Sequence, residues 1–156
     1  LSAVLHECGA MFFEQPLDRH ALDDLRALRK ESGVPVMLDE SMFSPGDVID
    51  AVRREAADYV NVKLTKSGGV RNAMKTLITA QAYGIEAMVG CMVEGKLGTA
   101  AGLCVASSLG NVRFTDLDGY TSMVTQPFEG GLTYKAGINS PVKGVGMAVE
   151  KVRANW

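Results

Sequence analysis

Five charged residues stand where short apolar runs of this sequence end or nearly end. Glu14 follows Met11–Phe13, Asp39 follows Val34–Leu38, Lys63 lies inside Tyr59–Leu64, and Asp116 and Asp118 close Val112–Leu117. A carboxylate in such a place is costly unless something pairs with it. Glu14 and Asp39, brought together, would repel each other, and a divalent cation resolves that conflict. Ligation by oxygen alone points to Mg2+ or Mn2+ rather than zinc, and two carboxylates suit a cation that keeps waters or takes substrate oxygens. The same acids could instead cap neighbouring helices. Lysine is almost never buried without a purpose. Near a bound cation the Lys63 ammonium would be disfavoured, which suits a general base; a salt bridge to Asp39 or Glu40 explains it equally. Asn61 shares its strand face by the period of two. Lys66 is expected at the following turn, solvated. Asp116 and Asp118, two apart, suit a second metal or a substrate ammonium, or else a β-turn with an Asx-turn before Gly119.

Positioning these groups requires strands at a regular interval. Glu14 to Asp39 is 25 residues, Asp39 to Lys63 is 24, Lys63 to Cys91 is 28 and Cys91 to Asp116 is 25. Between them lie helical stretches: Arg19–Glu31 with Leu22, Leu25 and Leu28 on one face, a segment from the Ser44-Pro45-Gly46-Asp47 start signal to about Ala56, another from Ser67-Gly68-Gly69 to about Ala82, and Gly95–Leu109. The Ser67-Gly68-Gly69 turn could cradle an anion, but without a phosphate fingerprint it reads as turn geometry. Beyond Gly119 glycines punctuate loops and short strands. A strand–helix unit repeated about every 25 residues predicts successive parallel strands with right-handed crossovers. An open doubly wound sheet and part of a (β/α)8 barrel both fit, the complete barrel needing roughly 200 residues or more. The partial barrel explains better why so many strand ends carry charge, and why the chain starts at Leu1 within a helical stretch.

The 156 residues, 47% hydrophobic and 22% charged, with a net charge of −2, describe a globular chain without the electrostatic footprint of a nucleic-acid or membrane-surface binder. No apolar run is long enough to span a membrane and no signal peptide is visible, so a cytoplasmic location is expected. Cys8, Cys91 and Cys104 are expected to be buried, reduced thiols. His6 and His20 should be solvated, the methionines should serve as core, and nothing in the spacing of Glu94 demands a role.

As a set, these residues resemble the enolase superfamily, its muconate-lactonizing subgroup and, within that, the dipeptide epimerases. Phe12-Phe13-Glu14-Gln15-Pro16 resembles the family's fourth-strand metal ligand, Leu38-Asp39-Glu40-Ser41 its fifth-strand ligand, and Asn61-Val62-Lys63-Leu64-Thr65-Lys66-Ser67-Gly68-Gly69 its sixth-strand catalytic lysine and turn. Asp116-Leu117-Asp118 is similar to the pair that holds a dipeptide's α-ammonium, and Cys91-Met92-Val93-Glu94 to the seventh-strand segment. The resemblance implies an α/β fold, the C-terminal part (about strands 4–8) of a (β/α)7β TIM-like barrel over residues 1–130. Residues 131–156 would then pack back toward a capping domain. It implies Lys63 as a catalytic base, Glu14 and Asp39 as ligands of Mg2+ (or Mn2+), Asp116, Asp118, Met92 and Val93 along the substrate, and Asn61, Glu40 and Lys66 behind them. The reaction would be epimerisation of a dipeptide by removal and return of an α-proton through a metal-stabilised enolate. A cycloisomerase, an N-acylamino acid racemase, or a non-catalytic cation-binding α/β module are the alternatives. The family's Lys-x-Lys base, its third-strand Asp ligand and its capping domain have no counterpart here. The chain alone is therefore expected to be inactive, to need an N-terminal half, and to form a homo-oligomer when complete.

Overall fold

Phe12 and Phe114 belong to opposite ends of one sheet, yet their ring centroids are 5.0 Å apart. That contact settles the architecture. The computed structural model describes residues 1–151. Five strands, β1 (Phe13–Glu14), β2 (Val36–Leu38), β3 (Tyr59–Lys63), β4 (Glu86–Gly90) and β5 (Val112–Asp116), pair in parallel in the order β1-β2-β3-β4-β5. In a flat sheet the first and fifth strands would stand roughly 19 Å apart. Rings that touch across that span require the sheet to curl into an arc, and Tyr59 of β3 completes the cluster at 6.1 Å from Phe12 and 5.5 Å from Phe114. A sequential strand order has no point where the winding reverses, so right-handed crossovers place the helices on one face, as in a barrel and unlike a doubly wound sheet.

Those helices are α1 (Ser2–Glu7), α2 (Leu22–Ser32), α3 (Pro45–Arg53), α4 (Val70–Ala82) and α5 (Lys96–Ala106). None is long and apolar enough to cross a membrane among the described residues. The strands alternate in two directions. Val36, Leu38, Val60, Val62, Ala87 and Val89 join Leu25, Val48 and Leu77 of the helices in the main core. Phe12, Met37, Tyr59, Asn61, Met88 and Phe114 share the other strand face, inside the arc, where Met37 and Asn61 are fully buried. Register slips by one residue between Ala87 and Met88, which pair with Val112 and Phe114. This bulge turns Val112 to the helices while aiming Phe114 and Asp116 inward.

The start signal at Ser44 is a capping arrangement: Asp47 Oδ2 accepts hydrogen bonds from the Phe43 and Ser44 amides and from Ser44 Oγ. Asp47→Ala is expected to lower stability by about 1–2 kcal/mol, read as a lower thermal midpoint. After β5, a 3-10 turn (Gly119–Ser122) leads to two antiparallel pairs, β6 (Phe128–Gly130) with β9 (Val149–Lys151) and β7 (Leu132–Lys135) with β8 (Ile138–Pro141). They pack on α5 through Ala100, Tyr120 and Leu132. Residues 152–156, the end of the segment expected to face a capping domain, lie outside the described residues.

Of the expectations for the cysteines and histidines, the first needs correction and the second holds. Of the three thiols only Cys91 is buried; Cys8 is exposed just past α1, a helix that buries no residue, and Cys104 is exposed at an open apolar groove beside Val70, Met74 and Met147. His6 and His20 are exposed as expected, and each also makes a local contact: His6 Nδ1 is 3.0 Å from the Gly33 carbonyl at the left-handed end of α2, and Arg19 Nε donates to His20 Nε2 at 2.9 Å.

Candidate active site

Parallel strands deliver their C-terminal ends to one side of the arc, and the inward parity of β1, β2, β3 and β5 sends Glu14, Asp39, Lys63 and Asp116 there together. At its centre Lys63 Nζ donates to Asp39 Oδ2 at 2.8 Å, while Lys66 Nζ bonds both Asp39 Oδ1 and the Asp39 carbonyl. The side chains of Asp39, Lys63 and Lys66 are only 8%, 14% and 12% exposed, so the trio is effectively desolvated. Lys66 is therefore not solvated as its turn position implied. The turn after β3, closed by the Ser67 amide to the Lys63 carbonyl and the Gly69 amide to the Leu64 carbonyl, folds its stem back over the site. Its ammonium also lies 5.7 Å from the Phe43 ring centroid.

Asn61, fully buried, donates from Nδ2 to Glu14 Oε1 at 2.8 Å, and its Oδ1 has no partner. Asn61 and Lys63 both need Gly90, their neighbour on β4. A Cβ there would stand 2.6 Å from Asn61 Oδ1 and 3.1 Å from Lys63 Cε. Glu40 is exposed and turns to a cavity of about 430 Å3 with Arg19, Phe43 and Asp47.

Electrostatics join the strand tips. Burial alone would lower the Lys63 pKa, but the hydrogen bond and charge of Asp39, with Glu14 and Glu40, hold it above the ordinary lysine value. A divalent cation would act in the opposite sense. For Lys66 burial wins, aided by the charge of Lys63, and its pKa falls. Burial and then the charge of Asp118 push Asp116 up, with Lys63 and Asp39 close enough to be felt. Asp118 heads the 3-10 turn without a side-chain capping bond, so the Asx-turn alternative does not hold and its carboxylate is available beside Asp116. A cavity of about 380 Å3 opens next to the pair, walled in part by Tyr134, Ile138 and Asn139. Met92 and Val93, 50% and 79% exposed, lie past the end of β4 at the same mouth. Cys91 Sγ accepts the Gly119 amide at 3.4 Å, and burial raises its pKa, which leaves it an inert thiol.

Two residues at this mouth were not legible in the spacing. Gln15 bridges the tips of β1 and β2, and Glu94 folds its carboxyl over Gly98 at the start of α5, where burial raises its pKa. Neither carries a signal in residue type or interval.

No three His, Cys, Asp or Glu side chains converge as a metal cluster among the described residues. The donor set nevertheless fits a hard divalent cation that keeps other ligands. Both acids offer oxygen only, Asp39 is buried and now balanced by two ammonium groups, and Asn61 holds Glu14 in place.

A barrel arc whose charged strand tips meet at the C-terminal end defines a class, and sequence comparison gives the same one. The chain belongs to the enolase C-terminal domain-like family, whose model matches residues 1–154. It is 38% identical over 121 residues to the L-Ala-D/L-Glu epimerase of Clostridium acetobutylicum, covering 78% of this chain and 34% of that protein. Among solved structures, the L-Ala-D/L-Glu epimerase of Bacillus subtilis, in a substrate-liganded complex, matches with a TM-score of 0.89 at 32% identity over 95% of this chain and 43% of that one. A dipeptide epimerase of Cytophaga hutchinsonii, complexed with Mg and the dipeptide D-Ala-L-Val, matches with a TM-score of 0.92 at 26% identity, over 97% and 42%. The chain thus spans about a third of the length of the curated relatives it matches.

Proposed function

We propose that this chain forms the C-terminal part of the catalytic barrel of a cytoplasmic, Mg2+-dependent dipeptide epimerase. The observation that carries the proposal is the desolvated Asp39–Lys63 pair, with Glu14 on one side and the Asp116–Asp118 pair on the other. Glu14 and Asp39 would hold the cation, with a further ligand from a segment supplying the preceding barrel strands. Bound there, Mg2+ would stabilise the negative charge that develops beside the α-carbon as its proton leaves.

The chain's own residues do the rest. Lys63 Nζ takes the α-proton of the dipeptide's C-terminal residue on one face, or returns it. Lys66 and Asn61 hold Asp39 and Glu14 in place. Asp116 and Asp118 accept hydrogen bonds from the α-ammonium of the N-terminal residue, and Met92 and Val93 flank the peptide. The second base, on the opposite face, comes from the completing segment.

The test combines the chain with that segment, Mg2+ and L-Ala-L-Glu in deuterated water; deuterium should enter the α-carbon of the C-terminal residue. Absence of exchange with any dipeptide in a side-chain panel would refute the assignment. Asp118→Asn should cut kcat/KM for dipeptides about ten- to a hundredfold, the worth of a charge-assisted hydrogen bond. N-acylated amino acids, which carry no ammonium, should be little affected; equal losses on both substrates would favour the racemase alternative.

A further inference from the structure

Gln15 sits between the two proposed metal ligands in a backbone conformation that L-residues rarely adopt, with φ of 36°. Its amide continues the β1–β2 ladder by donating to the Met37 carbonyl at 2.8 Å. Its side chain is used at both ends. Oε1 accepts from the Asp39 amide at 2.9 Å and from the Ser41 amide at 3.3 Å. Nε2 donates to the Leu17 carbonyl and to Ser41 Oγ, both at 3.0 Å. Ser41 Oγ in turn donates to the Arg19 carbonyl at 2.8 Å. One carboxamide therefore ties the loop that leaves Glu14 to the loop that leaves Asp39.

We infer that Gln15 is a positioning residue that sets the separation of the Glu14 and Asp39 carboxylates, and so the affinity of the site for a divalent cation. The inference rests on the reading of those two acids as metal ligands. Its physical basis is specific. β1 contributes only two residues to the sheet and so carries few ladder bonds of its own. Without the carboxamide, the Asp39 and Ser41 amides lose their shared acceptor, and the two loops keep only weaker ties such as the Ser41 Oγ bond to the Arg19 carbonyl. A non-glycine residue held at positive φ persists only where its surroundings over-determine it, and such positions cluster at functional sites. Supporting groups of this kind orient ligands, and their loss weakens metal binding about ten- to a hundredfold.

The experiment measures Mn2+ affinity of the barrel-completed protein by the paramagnetic signal of free Mn2+, with amide hydrogen exchange alongside. Gln15→Met, close in shape but without the hydrogen bonds, should weaken Mn2+ binding at least about tenfold and speed exchange at the Asp39 and Ser41 amides. Ser41→Ala, a milder cut of the same clamp that keeps Gln15, should weaken binding by a smaller factor and serves if Gln15→Met does not fold. Val48→Ala, a core change in α3 that lowers stability, should leave Mn2+ affinity unchanged in the folded protein. Wild-type affinity in both Gln15→Met and Ser41→Ala overturns the inference. Unchanged affinity in Glu14→Gln instead overturns the ligand reading beneath it.

Discussion

Lys63→Met is expected to abolish epimerisation, by at least about a thousandfold, while leaving the protein folded. The loss has a stereochemical signature. Only the isomer whose α-proton faces Lys63 should lose deuterium exchange, because the base on the other face still serves its partner isomer. Folding survives because Asp39 keeps Lys66: the carboxylate is not stranded, so the cost stays below the about 3–5 kcal/mol of an orphaned buried charge. Solvent exchange monitored by NMR on each isomer, with a thermal melt as control, checks both halves. Exchange of both isomers at the wild-type rate would remove Lys63 from the chemistry.

Gly90→Ala should be nearly as damaging without touching a charged group. The added Cβ would stand 2.6 Å from Asn61 Oδ1, 3.0 Å from its Nδ2 and 3.1 Å from Lys63 Cε. Neither neighbour can yield freely, since Asn61 is fully buried and holds Glu14, and Lys63 is bound to Asp39. Overpacking of this kind costs about 1–3 kcal/mol. A displacement of the base near 1 Å costs turnover about a hundredfold. The expected outcome is a protein with a lower melting midpoint, kcat down about two orders of magnitude, and weakened Mn2+ binding through Glu14. A fully active Gly90→Ala variant would show that this packing does not position the base.

Much of this architecture is legible in the sequence because barrel chemistry is periodic. The interval of 24 to 28 residues between polar strand ends exposes the strand–helix unit, and apolar runs closing on Glu14 and Asp39 mark two of the strand tips that meet at the mouth. Element ends drift by a few residues: the first strand is only Phe13–Glu14 rather than Met11–Phe13, and α5 ends at Ala106 rather than Leu109. Strand alternation fails at one important place. Simple period-two reading puts Val112 and Asp116 on the same face, but the bulge against Ala87 and Met88 reverses the strand between them, and only then does Asp116 face Lys63. Lys66 misleads for a different reason. A lysine at a turn is ordinarily solvated, and only the fold of the turn after β3 brings it under Phe43 onto Asp39. Choosing between barrel and open sheet needed the ring contact of Phe12 with Phe114, which no local pattern encodes. Gln15 was silent because a clamp between two loops leaves no periodic trace.

For the proposed chemistry to run, Glu14 and Asp39 must share one divalent cation within reach of Lys63. The most direct measurement is a crystal of the barrel-completed protein grown with Mn2+, with the ion located by its anomalous scattering. The expected map places the ion in contact with one oxygen of each carboxylate, with Lys63 Nζ released from Asp39 and facing the mouth. An ion bound elsewhere, or Asp39 still held by both lysines with Glu14 turned away, would contradict it.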